Sequence, residues 1–478
     1  MRTTAVIGGG AAGLIAAGRL AERGSRVLLI EKNPMLGKKL RITGKGRCNI
    51  TNDCEIEDIL AHVVHNARFL YSALYRFSNR DLVALLERYG VRTKVERGGR
   101  VFPVSDQARD VAEALRRYAL QKSVTVLKKT ASGLILEGGR VCGVRFSDGG
   151  SVRADSVIVA TGGLSYPLTG STGDGYRFAR QAGHSIVQPR ASLVGLKTRE
   201  AWVRELMGLS LRNVGIRLLD SSGRLCYEDF GEMLFTHFGV SGPIVLSASA
   251  HVEIGGRGVQ RGGARAAGRA QARAAQDEGS ACLDGAAPAA SVRKGKPQKR
   301  SIQAADTGTC AANDSNRCEQ RGGDGAGQFD YTLLIDLKPA LDHRQLDARV
   351  QRDFLEAANR QFRHALDRLL PKRLIGVIVA LSGIKPDQVV NQISREQRQS
   401  LVQLLKALPV TVRGKCTIDE AIVTAGGVCV REVDPSTMQS RLAEGLYFAG
   451  EVLDVDAYTG GYNLQIAFST GYLAGSHA

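Results

Sequence analysis

Long apolar runs are missing from this 478-residue chain; runs such as 374–381 fall far short of the roughly 20 residues that a membrane-spanning helix needs. No membrane partner is expected. No leader segment is expected either, because a strand pattern starts almost at Met1 and leaves no space for a charged region, an apolar region and a cleavage site. The expected location is cytoplasmic. The nine cysteines include no CxxC pair and no metal-ligand spacing, which argues against a disulfide framework and a zinc site. No RNP-type aromatic motif accompanies the basic charge of +18, whose residues are spread along the chain and interleaved with acids. A solvated surface is the plainer reading of that charge and speaks against nucleic acid as the partner. The length admits two or three domains, and nothing in the sequence bears on oligomeric state.

What is present begins in the first 31 residues. Ala5-Val6-Ile7 runs into Gly8-Gly9-Gly10-Ala11-Ala12-Gly13, then an Ala/Leu-rich helix, then Val27-Leu28-Leu29-Ile30-Glu31. Gly8 permits a tight turn, Gly10 lets the backbone approach a pyrophosphate, and Gly13 lets the helix lie close on the strand. The helix N-terminus then faces the phosphates. Glu31 stands where an acid accepts hydrogen bonds from an adenosine ribose and disfavours a 2′-phosphate, so the ligand is FAD or NAD rather than NADP.

Farther along, about 57–90 reads as helical from its leucine spacing, and a second helix is expected over about 106–121 after a cap at Ser105. Short runs at 124–127, 133–136 and 141–146 read as a β-meander. Asp155 to Gly163 reads as a buried parallel strand ending in glycines, with its tip at the ligand edge of the sheet. Short β-like pieces follow at 193–196, 215–219 and 242–246. Residues 252–329 are rich in Gly, Ala, Arg, Gln and Ser and nearly devoid of branched apolar residues, so they are expected to be a disordered insertion. Order is expected to resume with a strand at 331–337, a helical block over 342–406 and β structure at 410–412. Strand Leu446-Tyr447-Phe448, Gly450-Glu451, Gly460-Gly461 and a helix of small residues close the chain with a second phosphate- or flavin-facing helix start.

Longer strings are more particular: Gly37 to Asn52 (GKKLRITGKGRCNITN), Gly99-Arg100-Val101-Phe102-Pro103, His237 to Pro243 (HFGVSGP), Val423 to Val428 (VTAGGV) and Gly450 to Asp456 (GEVLDVD). With these the chain resembles the bacterial FAD-dependent oxidoreductases of the aminoacetone-oxidase-like and 3-dehydro-bile-acid Δ4,6-reductase-like group. The resemblance implies an α/β fold: a Rossmann-like FAD-binding domain from 1–191 and 413–478, an inserted β-barrel-like domain from 192–251, 330–341 and 407–412, and a small helical domain over 342–406. It also implies tight, non-covalent FAD.

In that architecture Gly8, Gly10, Ala12 and Gly13 are expected to hold the pyrophosphate, and Glu31, with Lys32 beside it, the ribose. Arg41, Thr43, Gly46, Arg47, Cys48 and Asn49 are expected along the phosphates and the isoalloxazine, where cations and small donors suit a diphosphate and a reduced flavin. Thr161 and Gly162 are expected beneath the flavin-linked segment, and Gly450, Glu451, Gly461, Asn463 and Leu464 over the ribityl chain and pyrimidine edge. No metal ligands are expected. Flavin hydride chemistry leaves the protein to place a substrate and move a proton, for which Cys48, His237 and Tyr458 are candidates without a decisive one. The leading expectation is NAD(P)H-driven reduction of a conjugated carbonyl small molecule, with NAD(P)H binding transiently because no second glycine fingerprint exists. A flavin oxidase of an amine or alcohol that makes hydrogen peroxide, and a flavin-bearing RNA-binding or RNA-modifying protein, are the alternatives.

Overall fold

The computed structural model describes residues 2–252 and 331–478. Strand β1 (Thr3–Ile7), helix α1 (Ala11–Glu22) and strand β2 (Arg26–Ile30) form the opening unit. β1 and β2 are apolar nearly throughout because they are buried on both faces of a five-stranded sheet. Its order is Leu446–Phe448, Ser156–Val159, β1, β2, Val124–Leu127, every neighbour parallel. In this register Ile7 lies beside Ile30 and Val159, and Phe448 beside Val159, so the glycine-bearing tips share one edge. That edge carries the ligand site in open parallel sheets.

The C-terminal helix Tyr462–His477 lies against α1. Small residues make this approach possible: a Cβ at Gly471 would meet the Ala12 carbonyl oxygen at 2.3 Å. The last segment of the chain is thereby packed onto the first, and the two ends build one domain.

Between them sits a closed barrel, in the order Leu196–Thr198, Gly239–Ser241, Leu225–Phe235, Ser210–Leu219, Tyr331–Asp336, Leu408–Lys415. Along Leu408–Lys415, Leu408, Val410 and Val412 are buried while Pro409 and Arg413 are exposed, the period of two that a barrel wall requires. The expected boundary at 412/413 falls inside this strand. Helices His343–Glu356, Lys372–Leu381 and Arg395–Lys406 share one core with the barrel, through Leu346, Val350, Phe354, Leu401 and Leu405. Asp342 and Ser394 close reciprocal capping boxes at the first and third of these helices.

Three local expectations are corrected. The stretch 57–90 is broken into Ile56–Ala61, the strand Val63–His65, Tyr71–Arg76 and Asn79–Arg88. The strand forms because β-branched Val63 and Val64 find a partner in Asp456–Ala457, and Ser78 starts a new helix with a capping box on Asp81. Val124–Leu127 joins the parallel sheet beside β2, leaving the antiparallel meander to Ala131–Glu137, Arg140–Phe146 and Ser151–Arg153. The 242–246 run is the start of helix Pro243–Ser249, because Pro243 opens a helix readily behind Gly242 at φ 98°. Its brief apolar run has the same composition as a buried strand. Of the expected disordered insertion, only Val252 lies within the described residues, and it is buried.

Candidate functional site

The glycine turn after β1 opens a cleft of about 330 Å³ at the sheet edge. Gly8 sits at φ +105°, and a Cβ at Gly13 would meet the Gly8 carbonyl oxygen at 1.8 Å, so α1 begins hard against the strand. The first helical bond runs from Leu14 N to Gly10 O, and no side chain caps the helix. The amides of Ala11, Ala12 and Gly13 therefore precede the helical ladder and are available to an anion. Among the described residues a Cβ at Gly10 would meet nothing within 4 Å, so the space in front of this turn is open to a ligand.

Glu31 is buried at the tip of β2, accepting from Gly9 N at 2.7 Å, Asn33 N at 2.7 Å and Asn33 Nδ2 at 2.8 Å. A carboxylate has about four acceptor sites, which leaves capacity for a ribose hydroxyl. Thr161 also lines the cleft, and its Oγ1 is buried with no hydrogen-bond partner among the described residues. These features fit a dinucleotide such as FAD.

Gly8, Gly10, Ala12, Glu31, Lys32, Thr43, Asn49, Thr161, Gly162, Gly450, Glu451, Gly461, Asn463, Leu464 and Tyr458 all line the cleft. Gly13, Arg41, Gly46, Arg47, Cys48 and His237 are not part of that lining. Gly13 acts behind it, through the close helix approach. The divergence inside 41–49 has a backbone cause. Gly44, Lys45, Gly46 and Cys48 all have positive φ, so the loop reverses tightly and only some of its side chains face the cleft. Arg41 points toward Glu113 at 3.9 Å. Arg47 is bound to Glu96 and, through Nε at 2.9 Å, to Asp106, with its guanidinium over Phe102. Hydrogen bonds from Arg47 and Lys94 hold the carboxyls of Glu96 and Asp106 below the usual range. Cys48 is wholly buried, and desolvation pushes its thiol up to about 11, which keeps it protonated at neutral pH. His237 is exposed on a barrel hairpin with its ring against Phe238.

Several lining groups are fixed by the protein itself. Lys39 Nζ donates to Glu451 Oε2 and Ser165 Oγ, both at 2.7 Å, while Glu451 Oε1 accepts from Ser165 Oγ at 2.8 Å and Thr424 N at 2.9 Å. Lys32 Nζ donates to Asp174 Oδ2 at 2.7 Å. Asn463 exchanges hydrogen bonds with both backbone groups of Ala457. With its amide turned so that Nδ2 donates to Thr51 O at 3.1 Å and Oδ1 accepts from Gly461 N at 3.0 Å, Asn49 joins the second loop to the start of the C-terminal helix. Such pairing orients the cleft wall before anything binds.

At the barrel side the wall is Tyr458, whose Oη lies 2.7 Å from His251 Nε2. Tyr227 stacks on His251 with ring centroids 5.0 Å apart and donates its hydroxyl to Asp229 Oδ2 at 2.7 Å. Burial raises Tyr458 and Tyr227 well above the ordinary phenol range and raises Asp229 above the ordinary carboxylate range. His251, Tyr227 and Asp229 carry no motif and were not anticipated; only the closed barrel brings them to Tyr458.

The protein-family comparison matches the HI0933-like protein Rossmann domain over residues 2–477. The chain is 28% identical to a 3-dehydro-bile acid delta(4,6)-reductase of Clostridium scindens, over 100% of this chain and 99% of that protein. It is 29% identical to a ribosomal RNA dihydrouridine synthase of Haemophilus influenzae, over 98% of this chain and 96% of that protein. Among solved structures, 3-ketosteroid delta1-dehydrogenase from Sterolibacterium denitrificans aligns at TM-score 0.46 and 13% identity, covering 100% of this chain and 99% of that one.

Proposed function

The chain belongs to the HI0933-like Rossmann-domain family and is an FAD-dependent oxidoreductase, and from that premise we propose that it reduces a carbon–carbon double bond conjugated to a carbonyl. The observation that carries this reading is the cleft itself, which runs from a diphosphate cradle at α1 to a phenol, Tyr458, at its far wall. FAD, once reduced, supplies a hydride. Ala11, Ala12 and Gly13 offer amides to its diphosphate, and Glu31 offers an acceptor to its ribose. The Lys39–Glu451–Ser165 network holds the wall in one arrangement, so that substrate meets an ordered surface.

The two kinds of relative support the same bond chemistry. A bile acid delta(4,6)-reductase and a dihydrouridine synthase both have names that describe saturating a ring double bond, and in uracil that bond is conjugated to a carbonyl. We take a small-molecule enone as the first substrate class and NAD(P)H as a transient electron donor. Uracil within RNA is the second reading, favoured by the dihydrouridine synthase relative.

Anaerobic titration with NADPH and NADH tests the donor: the flavin band bleaches. Cyclohex-2-en-1-one, a steroid 4-en-3-one and a uridine-containing RNA oligonucleotide are then offered as acceptors. Return of the oxidised band with a ketone identifies an enone reductase, and return with RNA alone identifies the second reading. Hydrogen peroxide formation from an amine or alcohol, with no response to any of these acceptors, would overturn both.

A further inference from the structure

Saturating an enone requires a proton as well as a hydride, and the structure brings a phenol and an imidazole together where barrel and dinucleotide domain meet. Tyr458 lines the cleft, and its backbone N–H donates to His62 O at 3.0 Å, which anchors it to the dinucleotide domain. Its hydroxyl is tied to the other domain by His251 Nε2, 2.7 Å away, just beyond helix Pro243–Ser249. Resting on the reductase reading, we infer that Tyr458 is the catalytic acid that protonates the substrate's α carbon and that His251 is the positioning residue that reloads it.

The balance is direct. Bound and reduced at the expense of NAD(P)H, FAD would supply the hydride for the β carbon. The Tyr458 O–H bond breaks and a C–H bond forms at the α carbon. The phenolate takes the Nε2 proton of His251 in its imidazolium form, and the neutral imidazole left behind takes up a proton from solvent. His251 must donate its Nε2–H toward Tyr458 Oη for this, which leaves the phenolic hydrogen free to point at substrate.

The surroundings suit the roles. From the barrel, Tyr227 stacks on His251 and meets Tyr458 edge-on with centroids 5.6 Å apart, while Asp229 is engaged by Tyr227 Oη and by Phe230 N. From the dinucleotide domain, His62 meets Tyr458 edge-on and stacks on Tyr462, and Asp456 is bound by His65 and Ser192. A phenol is protonated at neutral pH, the state an acid needs, and burial raises Tyr458 further in the same direction. Cys48 and His237 offer no competing donor, one being enclosed and the other on the exterior.

The test uses Tyr458→Phe and His251→Asn in the intact FAD-loaded protein. With Tyr458→Phe, bleaching by NAD(P)H stays within about threefold of the parent, while reoxidation by the responsive acceptor slows about 100-fold or more. In heavy water the parent places deuterium on one face of the α carbon, and Tyr458→Phe loses that selectivity. With His251→Asn, turnover loses the fall at high pH that imidazolium deprotonation gives the parent. A readout independent of turnover is the titration of ¹³C-labelled histidine in the oxidised protein, where the signal absent from His251→Asn shifts its midpoint in Tyr458→Phe. Reoxidation of Tyr458→Phe at the parental rate with unchanged deuterium selectivity would overturn the relay alone, as would an unmoved His251 midpoint. If the parent is reoxidised by no acceptor, the reductase reading fails, and the relay with it.

Discussion

Replacing Gly13 by alanine adds one methyl group where there is no space for it. The new Cβ would stand 1.8 Å from the Gly8 carbonyl oxygen, whereas ordinary contact begins at 3.4 Å. Both partners are backbone, so neither can swing aside; the start of α1 must withdraw from the strand by about 1.5 Å, at an overpacking cost of about 1–3 kcal/mol. The amides of Ala11 and Ala12 move with it. A hydrogen bond to a charged group contributes about 1.5–3 kcal/mol, so losing two at the diphosphate costs about 3 kcal/mol or more. That corresponds to FAD binding weakened about 100-fold or more. The assay is quenching of FAD fluorescence on titration into apoprotein, with circular dichroism to establish that the variant is folded. A folded Gly13→Ala protein that binds FAD within threefold of the parent would refute the cradle.

Gly376 is the converse case, since a Cβ there meets nothing within 4 Å inside helix Lys372–Leu381; Gly376→Ala should stabilise by about 0.5–1 kcal/mol in urea unfolding, with FAD content unchanged. Lys39→Met strands the Glu451 carboxylate and should cost about 1.5–3 kcal/mol in the same assay, whereas adding Glu451→Gln should recover part of the loss, a coupling that a double-mutant cycle reads directly. Asp229 has a raised folded pKa, so its ionisation opposes folding: the contribution is favourable below the unfolded value near 4 and is lost as pH rises through the folded value. Asp229→Asn should therefore gain stability relative to the parent as pH is raised from about 4 toward 7; a pH-independent difference would contradict the buried, desolvated carboxyl.

The dinucleotide half of the site was legible because its determinants are local. A strand, a glycine turn, a helix and an acid follow one another within 31 residues, and each side chain's task is set by the backbone beside it. The loop at 41–49 was legible only in part. Its composition announced cations and small donors, but the direction of each side chain depends on left-handed residues such as Lys45 and Cys48, which composition does not reveal. Thr43 and Asn49 consequently face the cleft while Arg41 and Arg47 serve carboxylates elsewhere.

The chemical end of the cleft is a harder case, and the reason is topological. Tyr458 and His251 are separated by 207 positions, and Tyr227 and Asp229 come from a third segment; none is preceded by a spacing that marks it. Their meeting follows from two closures: the C-terminal helix returning to α1, and the barrel returning through Leu408–Lys415 to Leu196–Thr198. The first sets Tyr458 at the cleft, and the second sets His251 and Tyr227 behind it. A barrel inserted into a dinucleotide domain thus has a chemical consequence beyond stability. Changes that loosen the barrel without touching the cradle should leave FAD bound and reducible while slowing transfer to the acceptor.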